Sequence, residues 1–220
     1  MKTNDDKQEM MADMYLSRIA IDVNNRQALR ALDSPEILHG MVEACFEGER
    51  RRNLWRLDVL NGQMYLLMLS PEKPNLLPLE AQIGLKGCAG ESRDYQPLLD
   101  RIQPGSIWRF RLTANPTMSI PCPGEERGKV KAITIAAHQR EWLIRQAQRH
   151  GFLLLQDRFD VVRSEWRIFH NKGRTVSVLS ATFEGVLTVD NPKAFVDALL
   201  LGIGRGKAYG MGLLTVMSCE

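Results

Sequence analysis

The 220-residue chain reads as an α+β protein made of two tandem ferredoxin-like (RRM-like) βαββαβ domains. Three features predict this. Runs with the two-residue period of half-buried strands alternate with runs of helical period. The order strand, helix, strand, strand, helix, strand occurs once in each half. The length also suits two domains of about 100 residues each. The expected domains are 14–116 and 121–218, joined near 115–121 and preceded by a polar stretch, 1–13, expected to be a disordered leader or a start-site extension.

"MYLSRIAIDV" (14–23) alternates apolar and polar residues as the first strand. In "SPEILHGMVEACF", Ser34 suits an N-cap and Pro35 the first helical position, while Ile37, Leu38, Met41, Val42 and Cys45 form an apolar stripe. "NLWRLDVL" and "QMYLLMLS" are strands joined by Asn61-Gly62, the dipeptide favoured in type I′ hairpins. After a Pro-rich crossing, "YQPLLDRI" is expected to be a short helix, and "SIWRFRLTANP" the strand that closes the first domain. In the second half, "GKVKAIT" reads as a strand or hairpin arm. "AAHQREWLIRQAQRHG" reads as a helix ended by Gly151. Several strands with a tip at "HNKGR" follow, then a helix capped by Asn191 and opened by Pro192, and the closing strand "GLLTVM".

Composition narrows the function classes. Hydrophobic residues make up 44% and charged residues 25%, the mix of a soluble globular protein. No apolar run reaches the roughly 20 residues of a membrane-spanning helix, and the polar start lacks a secretory signal, so a cytoplasmic location is expected. Cys45, Cys88, Cys122 and Cys219 lie far apart without Cys-x-x-Cys or zinc spacing, which reads as free thiols in a reducing compartment; neither metal nor another cofactor is expected. The net charge of +3 is unevenly spread. Residues 127–174 carry eleven Lys and Arg against four Asp and Glu, a surplus of seven, so the rest carries −4. A concentrated surplus of that size suits a phosphate-binding surface.

The stretch "GIGRGKAYGMG" (202–212) places five glycines beside Arg205 and Lys207. Backbone amides freed by glycine, with two cations, describe an anion surface. The dinucleotide fingerprint is excluded, because Gly-x-Gly-x-x-Gly spacing is absent and the loop runs from helix to strand.

Taken in order, "MYLSRIAID", "SPEILHGMV", "LWRLD", "WRFRLTANPT" and "FEGVLTVDNPKAFVDALLLGIGRGKAYGMGLLTV" resemble the CasE family of type I-E CRISPR-associated endoribonucleases, over nearly the whole chain from Met14. The resemblance implies two ferredoxin-like domains. It also implies metal-independent cleavage of CRISPR repeat hairpin RNA, and retention of the mature crRNA alongside other Cascade subunits in antiviral defence. Such cleavage uses the substrate's own 2′-hydroxyl as nucleophile, so the protein must align it, move protons and stabilise negative charge.

Histidine suits proton transfer, with an unperturbed pKa of about 6.5. Of His39, His138, His150 and His170, the resemblance places His39 at the family's catalytic position. Relatives place a tyrosine three residues before it and some an arginine after it; here these positions are Glu36 and Gly40. Glu36, at i and i+3 with His39, reads either as a carboxylate partner that orients the ring or as a first-turn acid favoured by the helix dipole, and the second is preferred. The resemblance puts Arg205 and Lys207 near the scissile phosphate. Stem recognition is expected from Arg145 and Arg149 on one helical face, and from Arg163, Arg167, Lys172 and Arg174 around a hairpin, with Arg109 and Arg111 on a strand as further contacts. Trp166 and Phe169 offer rings for stacking on bases, but core packing is the expected use of both. The rival reading is a Cascade subunit that grips the repeat hairpin with weak or no cleavage.

Overall fold

The computed structural model describes residues 14–47, 53–122, 128–171 and 174–219. The stretch 1–13 and Lys172 lie outside the described residues. Backbone contacts divide the chain between Arg101 and Ile102, and group Ala208–Gly210 with the first unit.

The first unit runs β1 (Tyr15–Ala20), α1 (Arg26–Asp33), α2 (Pro35–Glu43), β2 (Leu54–Leu60), β3 (Gln63–Ser70), α3 (Leu77–Ile83), β4 (Glu91–Asp94) and a one-turn α4 (Gln96–Leu99). Its sheet has the order β2-β3-β1-β4, all antiparallel, which is the ferredoxin-like arrangement. Asn61 and Gly62 adopt φ of 51° and 78°, so the β2–β3 turn has the positive φ pair that type I′ requires. Ile19, Leu38, Val42, Trp55, Leu66 and Leu79 pack into one core between sheet and helices. On β2, Arg56 is only 2% exposed, and its Nη2 lies 2.6 Å from Asp58 Oδ2 two residues on.

The helices depart from the expected order in two places. Helix α1 was not anticipated; Asn25 caps it by accepting from the Gln27 and Ala28 amides, and the Ser34 amide then closes it onto Ala31 O. "YQPLLDRI" forms the expected short helix, α4, but the helix that packs on the sheet as the second of the unit is α3, inside the Pro-rich crossing.

The second unit runs β5 (Ile107–Ala114), β6 (Thr117–Ile120), β7 (Lys129–Ala132), α5 (Ala136–Arg149), β8 (Phe152–Asn171), β9 (Arg174–Val189), α6 (Pro192–Leu201) and β10 (Leu214–Ser218). The sheet order is β10-β5-β9-β8. Strand β5 pairs with β9 and β10, so it opens the second domain and does not close the first. The expected junction near 115–121 therefore moves to Arg101/Ile102. Phe110 and Leu112 lie on the buried face of β5, whereas Ile107, expected there too, is 51% exposed; apolar residues do not name a strand's neighbours. "GKVKAIT" is one arm of the inserted β6–β7 hairpin, and β5 takes the role expected of it. The core includes Trp142 stacked on Phe183 at 6.1 Å and Phe152 edge-on to Phe195 at 5.5 Å. Among the described residues, no helix is long and apolar enough to cross a membrane.

Candidate functional site

Ser34 and Pro35 start α2 where the sequence predicts, with the Ile37 amide donating to Ser34 Oγ at 3.5 Å. The 3.6-residue period then buries Pro35, Leu38 and Val42 and leaves Glu36 exposed and His39 half-buried. His39 shares a helix face with Glu43, four residues on, whose Oε1 accepts from Asn53 Nδ2 at 3.4 Å at the start of β2. His39 Nδ1 is buried and has no hydrogen-bond partner. An unpartnered buried polar atom costs about 1–3 kcal/mol, so such atoms are few in native proteins. Among the described residues no hydrogen bond joins Glu36 to His39.

The glycine-rich loop is a built structure. Gly202, Gly204, Gly206, Gly210 and Gly212 all have positive φ, between 72° and 92°. The loop is tied at its neck, where the Ile203 amide donates to Gly212 O at 2.9 Å and the Gly212 amide to Thr113 O at 2.7 Å. Asn115 and Arg205 form an isolated antiparallel bridge. A Cβ at Gly210 would lie 2.4 Å from the Trp55 ring, so that glycine serves packing as well as conformation. Arg205 projects into solvent, and Lys207 is half-buried in a 3-10 turn, Lys207–Tyr209.

Within the second unit, Lys207 and Arg149 come together around His150, the C-cap of α5. Burial of the imidazole, then Lys207, then Arg149 holds His150 below its ordinary value of 6.5. Sequence reasoning set this histidine aside; its signal was its place at the end of a basic helix, just before Gly151. Arg145 and Arg149 are exposed one turn apart on α5, opposite the buried Trp142, Leu143 and Ala147. Arg140, not singled out earlier, anchors β8 by donating to Phe159 O and Asp160 Oδ1, both at 2.9 Å.

The tip of the second unit is a ribbon. Beyond Ala181, β9 leaves β5 behind and continues against β8 alone, from the Glu165↔Ser180 pair to Asn171↔Arg174. Arg163 is exposed and ion-paired to Glu165 at 2.8 Å. Arg167 is half-buried on the same side; desolvation is the main influence pushing its guanidinium down, with Glu165 opposing and Arg163 adding to it. Arg174 is exposed. Phe169 is buried as expected, but Trp166 is not: three residues apart on one strand, the two side chains lie on opposite faces of the ribbon, and the face of Trp166 is the open one. On β5, Arg109 is exposed and Arg111 is ion-paired to Glu184. Among the described residues, no group of three or more His, Cys, Asp or Glu side chains is placed to hold a metal ion.

The family model for CRISPR-associated proteins matches residues 14–217. The chain belongs to that family. Curated members include the CRISPR-associated endoribonuclease Cse3 of Thermus thermophilus, 30% identical over 92% of this chain and 99% of its own length. The CRISPR system Cascade subunit CasE of Escherichia coli is 26% identical over 67% of this chain and 76% of its own. Among solved structures, Thermus thermophilus Cse3 bound to an RNA representing a pre-cleavage complex superposes with a TM-score of 0.78 at 27% identity, covering 93% of this chain and 99% of that one. This family member shares their tandem ferredoxin-like fold, as the sheet orders of its two units require.

Proposed function

We propose that this family member is a metal-independent endoribonuclease that cuts CRISPR repeat hairpin RNA to mature crRNA and stays bound to its product as a Cascade subunit in the cytoplasm. The observation that carries the reading is the near end-to-end match to an endoribonuclease that has been solved with RNA in a pre-cleavage state. In the reaction the 2′-hydroxyl oxygen attacks the adjacent phosphorus, and the bond to the 5′-oxygen breaks. The products are a 2′,3′-cyclic phosphate and a free 5′-hydroxyl. One proton leaves the nucleophile and one reaches the leaving oxygen.

His39 carries one of these transfers. Its ring is partly open to solvent, and its buried Nδ1 is not committed to another group. The exposed Arg205 and the half-buried Lys207 supply positive charge for the phosphate. Arg109, Arg145, Arg149, Arg163, Arg167, Lys172 and Arg174 hold the stem through its backbone, because the deep, narrow major groove of A-form RNA hides its base edges. Glu184 already partners Arg111, whose part in RNA binding is correspondingly small.

The test is to incubate the purified chain with its own repeat RNA, with and without EDTA, and map the new ends. Cleavage on one side of the repeat stem, with a cyclic phosphate end and no effect of chelator, is the expected result. Bound RNA without cut products would establish the gripping subunit instead.

A further inference from the structure

The chain has four tryptophans. Trp55, Trp108 and Trp142 are buried, whereas Trp166 is 51% exposed on the β8–β9 ribbon. Across the ribbon it stands opposite the buried Leu179. Ile168, two residues on and therefore on the same face, is 66% exposed. The alternate positions place Arg163, Glu165 and Arg167 on the other face. An indole offers one of the largest apolar surfaces among side chains, and here the fold leaves half of it unused.

We propose that Trp166 is a base-stacking residue that takes the face of an unpaired nucleotide beside the RNA stem. The inference rests on the RNA-cleaving reading above. Bases inside an A-form stem cover one another's faces, so away from the stem's terminal pair a free π-surface is offered only by an unpaired base. Charge favours RNA over an apolar protein partner: residues 163–174 hold Arg163, Arg167, Lys172 and Arg174 against Glu165, a surplus of three. A narrow ribbon with cations for the backbone on one face and an aromatic platform for a base on the other lets a strand at its edge engage both, and that combination is the usual grip on unpaired nucleic acid.

With the other three tryptophans buried, emission sensitive to an aqueous quencher reports Trp166. The full chain is titrated with a repeat stem–loop RNA carrying unpaired nucleotides on both sides of the stem. Stacking quenches the accessible emission, and Trp166→Phe abolishes that change while keeping most of the affinity. Trp166→Ala weakens binding about 5- to 150-fold, the range that loss of one stacked base gives. An abasic site at the stacked nucleotide produces the same loss in the wild type and none in Trp166→Ala. If RNA is bound and cut while emission is unchanged, or if Trp166→Ala binds like wild type, the proposal is overturned, and the ribbon face is left to a protein partner. If RNA is neither bound nor cut, the cleavage reading itself fails, and stacking falls with it.

Discussion

Arg111 and Glu184 stand directly opposite each other on β5 and β9, and both Nε and Nη2 of the arginine reach Oε1 of the glutamate. Arg109, two residues away on the same exposed face, lies opposite Val186 and Met217, which carry no charge. Two arginines that look equivalent in "WRFRL" therefore have different work. Arg109→Ala should weaken stem–loop binding and lower the salt slope of the affinity by about one, while Arg111→Ala changes both less. With both side chains about a third exposed, a double-mutant cycle on urea unfolding should give roughly 0.2–1 kcal/mol of Arg111–Glu184 coupling. Equal salt slopes for the two alanine variants would contradict this division of labour.

His39→Ala should lower single-turnover cleavage about 100-fold or more and leave RNA affinity near the wild-type value, because proton transfer and stem binding use different groups. Single-turnover assays alongside filter binding measure both. A variant that cuts at the wild-type rate removes His39 from the mechanism.

Gly210→Ala should destabilise the protein by roughly 2–4 kcal/mol. Alanine resists φ near 76°, and its methyl group would overlap the fully buried Trp55 ring. Urea denaturation reads the loss. Gly62→Ala is a useful contrast, since it shares a positive φ but meets nothing within 4 Å, and should cost less.

His150 links stability to pH. Burial first, then Lys207 and Arg149, makes its protonation harder in the folded chain than in the unfolded one. Below about pH 6.5 the unfolded chain binds the extra proton first, so stability falls as pH drops from 6.5 through the lowered folded value. Above 6.5 the contribution is flat. Thermal melting from pH 7.5 to 5 should show His150→Gln losing less stability than the wild type. Lys207→Gln should narrow the effect, because it removes one of the two cations that oppose protonation.

Much of this was legible in the residues. Ser34-Pro35 and Asn191-Pro192 announced two helix starts, and Asn61-Gly62 announced a hairpin, because caps and tight turns are satisfied by neighbours a few positions away. The doubled strand–helix order likewise pointed to the tandem fold, and the ordered motifs to the family. His39 was singled out by resemblance, and nothing in its local spacing distinguished it from His138 or His150.

What the chain could not declare locally was partnership across long separations. The apolar alternation of β5 established which face is buried, but a backbone ladder accepts any strand of matching length, so only the folded sheet assigned it to β9 and β10. The same limit hid the Arg111–Glu184 pair, 73 residues apart, and the gathering of Lys207 and Arg149 about His150. Trp166 was misplaced for the mirror-image reason. Strand period predicts a buried side only where something covers that side, and on the β8–β9 ribbon the face of Trp166 and Ile168 is left open while Phe169 on the other face is buried.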